Sequence, residues 1–235
     1  MGTLSNVKTR GGEANPPSAG LASDALPEAT SSQNGVSVKY VPDPNKNWFV
    51  FRVSYGRVEK ASDYLVEDGT YTYAAQHYVQ KLVNGRRKKV LEYLIPNLLF
   101  AYTTAEKAEE YVKRTPVMSY LSYYYNHFEL NGDNLNPPLI VSNSEMINFI
   151  RATVSKSEHI LFVKPSQCHY KGGDRVRVVD GLFCGVEGKV ARVSGQQRVI
   201  VTLSKVGLIS TAYIPTAFIE KCDTLDDYQA SVVVK

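Results

Sequence analysis

Between Lys171 and Cys222 the apolar residues fall in short runs: Val176, Val178 and Val179; Val186, Val190 and Val193; Val199, Val201 and Leu203; Leu208 and Ile209; Tyr213 and Ile214. Turn residues part them at Asp180-Gly181, Ser194-Gly195 and Gly207. A spacing of two sends alternate side chains to opposite faces of a strand. Four or five such strands in about 50 residues leave room for little but a small β-barrel. Lys164-Pro165 and Lys171-Gly172-Gly173 bracket a hinge, so residues 165–170 read as a linker and 171–222 as the barrel.

Upstream the pattern differs. Trp48 to Val53 is aromatic and β-branched, the composition of a buried strand. Val58, Ala61, Ser62 and Leu65 follow at helical spacing, with Gly69 at a C-cap position. Tyr71 to Val83 reads as extended, and Asn84-Gly85 is the preferred dipeptide of a type I′ hairpin. A strand from Lys88 to Ile95 returns, and Leu98 to Tyr102 resumes after Pro96-Asn97. Thr103 with Glu106 and Ser142 with Glu145 have the spacing of capping boxes, which predicts one helix to about Lys113 and another carrying Met146, Ile147, Phe149 and Ile150. Val117 to Tyr125 reads as a further strand. This order predicts an α+β layer over residues 48–164, an antiparallel sheet with helices packed on it.

Residues 1–47 are rich in Gly, Ser, Ala, Asn and Pro and have no aromatic before Tyr40. Such a segment buries too little apolar surface to offset its ordering entropy, which predicts a disordered leader. Residues 223–235 read as a C-terminal tail.

Composition narrows the function classes. The chain of 235 residues has a net charge of +4. Residues 48–164 hold fourteen basic and twelve acidic groups, whereas 165–222 hold eight and four. A bulk polyanion binder is more basic than this, so local clusters have to carry any nucleic-acid contact. Cys168, Cys184 and Cys222 include no CxxC pair, which disfavours a disulfide scaffold or zinc ribbon and fits a cytoplasmic protein. No apolar run approaches the ~20 residues of a membrane span. No nucleophile beside a base, no paired catalytic carboxylates, no metal-ligand set and no phosphate-binding glycine loop stands out, so neither an enzyme nor a cofactor is expected.

Two stretches together resemble a known family. Trp48-Phe-Val-Phe-Arg-Val-Ser-Tyr-Gly56, a helix, a basic hairpin and Leu94-Ile-Pro-Asn-Leu-Leu-Phe100 resemble the N-terminal (NGN) domain of NusG-type transcription elongation factors. Gly173 to Val193, with Asp180-Gly181 and Gly188, looks like a KOW motif, whose fold is an SH3-like β-barrel. The leader and the tyrosine-rich middle look most like the specialised RfaH and UpxY paralogues, the latter associated with antitermination in capsular polysaccharide operons. Glu109, Glu110 and Tyr111 stand where RfaH carries a polar element that meets the polymerase gate loop.

The resemblance implies an elongation factor or antiterminator that binds RNA polymerase and suppresses pausing or termination. It places Arg52, Leu98, Phe100, Met146 and Phe149 on an apolar surface that receives the clamp helices of the largest polymerase subunit. Apolar residues at these spacings are also the ordinary pattern of a core. Arg86, Arg87, Lys88 and Lys89 follow the hairpin turn. Four cations there suit the phosphates of upstream or non-template DNA, or else a solvated turn. The barrel is expected to recruit a second protein, a ribosomal protein or a termination factor. The rival reading is a ribosome- or RNA-binding protein acting through the barrel alone.

Overall fold

The structure, a computed structural model, describes residues 26–127, 129–133 and 135–222. In chain order it begins with a hairpin of β1 (Ala29–Thr30) and β2 (Ser37–Val38), then β3 (Asn47–Val53), α1 (Val58–Glu67) and β4 (Tyr71–Tyr73). A ribbon of β5 (Gln76–Val83) and β6 (Arg86–Tyr93) is followed by β7 (Leu98–Thr103) and α2 (Ala105–Glu109). A π-helical turn (Glu110–Arg114) continues α2 and leads to β8 (Leu121–Tyr123), β9 (Ile140–Val141) and α3 (Asn143–Thr153). The C-terminal unit holds β10 (Leu161–Val163), β11 (His169–Val178), β12 (Glu187–Val193), β13 (Gln196–Leu203), β14 (Gly207–Tyr213) and β15 (Ile219–Lys221). The expected mixture of antiparallel sheets and few helices is present.

β3 lies at the centre of the first sheet, paired antiparallel with β7 on one side and with β8 and β9 on the other, while β4 flanks β7. Its alternation divides the core. Phe49, Phe51 and Val53 face Val58, Ala61 and Leu65 of α1 together with Ala108, Tyr111 and Met118. Trp48 and Val50 face Phe100, Tyr102 and the buried side of α3, Met146, Phe149 and Ile150. Helix α1 ends as expected at Gly69, whose φ of +78° is open to glycine at little cost. Ser142 caps α3: its hydroxyl accepts from the Glu145 amide at 3.3 Å and donates to Glu145 Oε2 at 3.0 Å. The other cap lies one residue later than expected. Thr103 ends β7, buried, and Thr104 accepts from the Lys107 amide at 3.3 Å. The strand expected from Val117 is shorter, because Pro116–Met118 form a 3-10 turn before β8.

The expectation of a disordered leader over 1–47 is corrected for 26–46; residues 1–25 lie outside the described residues. Three contacts hold this stretch to the domain. Tyr40 stacks on Trp48, ring centroids 5.8 Å apart, and lies 4.9 Å from Tyr102. The Tyr102 hydroxyl donates to the Asp43 carbonyl and accepts from the Asp43 amide, both at 2.8 Å. The buried carboxylate of Asp63 on α1 accepts the Ser32 amide at 2.7 Å and its hydroxyl at 2.6 Å. Composition averaged over 47 residues hid one aromatic anchor and two polar ones.

The C-terminal unit is a six-stranded antiparallel sheet in the order β10-β14-β13-β12-β11-β15. The expected closed barrel is not present: the ladder leaves β10 and β15 as edges. The domain boundary also moves. β10, assigned from sequence to 48–164, pairs with β14, and the expected linker 165–170 holds a 3-10 turn (Pro165–Gln167) and the start of β11. Gly188 is required where β12 passes β13, because a Cβ there would collide with the Ile200 carbonyl and with Val199. The tail 223–235 lies outside the described residues.

The two units share one apolar cluster. It runs from Val50, Phe100 and Phe149 through to Val176, Val186, Val199 and Val201. Asn148 of α3 makes a reciprocal pair with the backbone of Glu187, its Nδ2 donating to the carbonyl at 2.6 Å and its Oδ1 accepting from the amide at 2.8 Å. Arg198, 8% exposed, donates from Nη1 to the carbonyls of His159 (3.0 Å) and Thr211 (2.8 Å) and from Nη2 to Gln196 Oε1 (2.9 Å). Burial lowers its guanidinium pKa, and Nε finds no partner among the described residues. Arg198 is therefore a clamp between the connecting segment and β14, not a surface cation. Replacing it by Met (Arg198→Met) takes the donor from the His159 carbonyl and one of two from the Thr211 carbonyl, which also accepts from the Ser210 hydroxyl at 3.2 Å, and is expected to lower unfolding stability by about 1–3 kcal/mol. Denaturant titration checks this, and an unchanged midpoint would show the clamp to be idle.

Candidate macromolecular interface

The β5–β6 ribbon is not hydrogen-bonded into either larger sheet. Asn84 (φ +50°) and Gly85 (φ +73°) form the expected turn, and Val83 faces Arg86 across it. The period of two splits the four cations. Arg86 and Lys88 share a face with Lys81, whereas Arg87 and Lys89 share the other with Tyr78, Leu82 and Leu91. Lys81 pairs with Glu92. Lys89 is also engaged: its Nζ lies 3.3 Å from Glu158 Oε1 and 5.4 Å from the centre of the Tyr78 ring. Among the described residues, Arg86, Arg87 and Lys88 have no ion-pair partner. The expectation of four equivalent cations is thus corrected to three at the tip and one tied to the chain before β10. That segment also braces the base of the ribbon, through Tyr78 N to the Lys156 carbonyl (3.0 Å) and His77 Nδ1 to the Ile160 carbonyl (3.1 Å).

The second set of sequence-derived residues is brought together on one face of the first sheet. Arg52 stands opposite Leu98, and Val50 opposite Phe100. The Phe100 ring lies 5.5 Å from that of Phe149 on α3. Their exposure differs from expectation. Arg52 is exposed, but Leu98 is 8% accessible, Phe100 1%, and Met146 and Phe149 0%. An open apolar surface is therefore corrected to a closed core: α3 and the C-terminal sheet cover it. Charge placed at Phe100 or Met146 would test folding rather than contact.

Near the end of α2, Glu109 is half-buried and pairs with Lys113 at 3.1 Å, Glu110 is exposed, and Tyr111 is buried. The Tyr111 hydroxyl donates to Asp68 Oδ2 at 2.6 Å, and Lys107 Nζ reaches the same oxygen at 2.6 Å. Burial alone would raise the Asp68 carboxyl. The two hydrogen bonds and the Lys107 charge outweigh it and hold the pKa below its ordinary value. Tyr123 is pushed up to about 12, by burial first and then by Glu109 and Tyr125. Around it the surface is aromatic: Tyr125 is 44% and Tyr55 85% exposed, with the Arg57 guanidinium 5.6 Å from the Tyr55 ring centre.

Sequence reasoning missed Glu158, Asn148 and Tyr40, which hold these surfaces in place. Tyr40 carried a signal, as the first aromatic after 39 residues without one. Glu158 and Asn148 carried none, because their partners lie 69 and 39 positions away.

Comparison with known proteins bears on the first sheet and its ribbon. Residues 46–149 match the family model NusG, described as transcription termination factor nusG. The match supports a NusG-type transcription factor. It begins just before β3 and ends inside α3, so it contains Arg52, Leu98, Phe100, Met146, Phe149 and the whole β5–β6 ribbon. It does not extend over the C-terminal sheet, and the likeness of Gly173 to Val193 to a KOW motif rests on those residues alone. No curated protein matches the chain. The match supports a role in transcription elongation or termination and is consistent with a non-enzymatic factor. Among the described residues no helix is long and apolar enough to cross a membrane, and no group of His, Cys, Asp and Glu could hold a metal.

Two outcomes follow from this geometry. Replacing Glu158 by Gln releases Lys89, and binding of a short DNA duplex at low salt is expected to tighten about two- to threefold, read by fluorescence anisotropy. No change would leave Lys89 without a role in contact. Asp68 has a depressed folded pKa, so its contribution is full above the unfolded value and is lost as pH falls through the folded one. The stability gap between wild type and Asp68→Asn is therefore expected at pH 7 and expected to close towards pH 3, by thermal unfolding at both. An equal gap at both would refute the network.

Proposed function

We propose that the chain is a NusG-like elongation factor or antiterminator that docks on RNA polymerase through the unit built on β3, β7 and α3. The observation that carries this reading is the family match over residues 46–149, which contains the whole clustered set of Arg52, Leu98, Phe100, Met146 and Phe149. The partner on this face is the pair of clamp helices of the largest subunit, since an apolar sheet-and-helix face is a recurrent receptor for a helix. Because that face is closed by α3 and the C-terminal sheet together, docking requires both to loosen from it. Stabilising the closed, elongating polymerase by differential binding then biases it against pausing and termination. The specialised RfaH and UpxY paralogues, and with them capsular polysaccharide operons, are the nearest functional type by the sequence resemblance. The C-terminal sheet, once released, takes a second protein partner.

In this reading the ribbon reaches the phosphates of upstream or non-template DNA through Arg86, Arg87 and Lys88, positioning without reading bases. Few phosphates are neutralised, so the contact matters only after docking raises the effective concentration.

The test is capture of purified polymerase by the immobilised full chain. Arg52→Glu, at an exposed position, is expected to weaken capture about tenfold or more with an unchanged melting temperature. Equal capture would remove this face from the interface. On an assembled elongation complex, replacing Arg86, Arg87 and Lys88 by Gln is expected to lower the log–log salt slope by roughly 2–3 units. Equal slopes would make the ribbon tip a solvated turn.

A further inference from the structure

A cleft of about 520 Å³ opens between α3 and the C-terminal sheet, outside the surfaces described above. Its helical wall carries Ile147 and Arg151, and its sheet wall carries Arg175, Lys189, Ile200 and Thr202. The charges on the sheet wall are unbalanced by construction. Arg175 and Lys189 are direct cross-strand partners on β11 and β12, a like-charge pair that is unfavourable unless an anion lies beside it. Glu187 is the nearby acid, and it is shared: Oε2 takes Arg175 at 3.1 Å, while Oε1 takes Arg177 at 2.5 Å. Lys189 is left exposed with no partner among the described residues. The cleft's second acid, Glu145, is committed to the hydroxyls of Ser142 and Ser204. Ile147, half-buried, adds an apolar floor beside the cations, while Ile200 behind it is packed into the core of the sheet.

We propose that this cleft binds a phosphate-bearing nucleotide unit, the phosphate between Lys189, Arg175 and Arg151 and the sugar and base over Ile147. A cation pair alone would take any anion. Cations beside an apolar floor in a cleft of this volume fit an anion that carries a flat apolar group. The unit is either a free nucleotide or one residue of a single strand, and the chemistry of recognition is common to both. Since helix and sheet each supply a wall, occupancy favours the packed arrangement of the two units. The inference does not depend on the polymerase reading, because none of its residues belongs to that face or to the ribbon.

The experiment uses the full chain at low salt, with fluorescein-labelled dodecauridylate followed by anisotropy and uridine monophosphate followed by calorimetry. Lys189→Gln removes the unpartnered charge at an exposed site, and Thr202→Trp fills the cleft without changing charge at an exposed strand position that accepts aromatics. Both are expected to weaken at least one probe, Lys189→Gln roughly three- to tenfold, with the strand's salt slope falling by about 0.7. Loss on the oligonucleotide alone identifies a strand, and loss on both probes a nucleotide pocket. Arg86→Gln with Arg87→Gln and Lys88→Gln, a control on the ribbon, is expected to leave the difference between wild type and Lys189→Gln unchanged. Binding unaltered by Thr202→Trp, or by Lys189→Gln, overturns the proposal.

Discussion

Strand β3 is the element on which the rest of the structure depends. It is hydrogen-bonded on both edges, and all but Asn47 and Arg52 of its seven residues are buried. Its two faces seed two separate cores, one closed by α1 and the turn after α2, the other by α3. Trp48 does more than fill the second core, because the Tyr40 ring stacked on it holds the preceding segment to the sheet. Arg52 is the exception along the strand: the same alternation that buries Trp48 and Val50 carries a cation to the exposed end of that face.

Helix α3 is the second constraint. One side, Met146, Phe149 and Ile150, is committed to the first sheet, and the next side, at Asn148, to the C-terminal sheet. A helix with two committed sides joins two units that the chain connects only through residues 154–160. The short connector is itself anchored at both ends, by the ribbon at Lys156, Glu158 and Ile160 and by Arg198 at His159. The basic ribbon, the helix and the C-terminal sheet are therefore mechanically continuous, although the ribbon lies far from the other two in sequence.

Much of this was legible locally. The Asn84-Gly85 turn, the Gly69 helix end, the Ser142-Glu145 cap and the central strand each follow from residues within a few positions of one another. Arg52, Leu98, Phe100 and Phe149, picked out from the sequence, do lie on one side of the first sheet. Their exposure was not legible, because alternation reports which face a side chain takes and not what covers that face. The ribbon's cations were legible as a run of four, but the pairing that removes Lys89 from the run was not.

What the sequence by itself determined is the set of local elements and the likeness of residues 46–149 to the NusG family model, because turns, caps and aromatic strands are short-range and carry their physical cause in neighbouring residues. The tertiary structure alone decided three matters. Residues 26–46 belong to the first unit, β10 belongs to the second, and the apolar face between them is closed. Each turns on contacts between residues dozens of positions apart, Ser32 with Asp63, Val163 with Leu208, Phe100 with Phe149. The apolar contacts draw their energy from excluding water and the Ser32–Asp63 pair from hydrogen bonds to a carboxylate, between surfaces that meet only once the chain has folded.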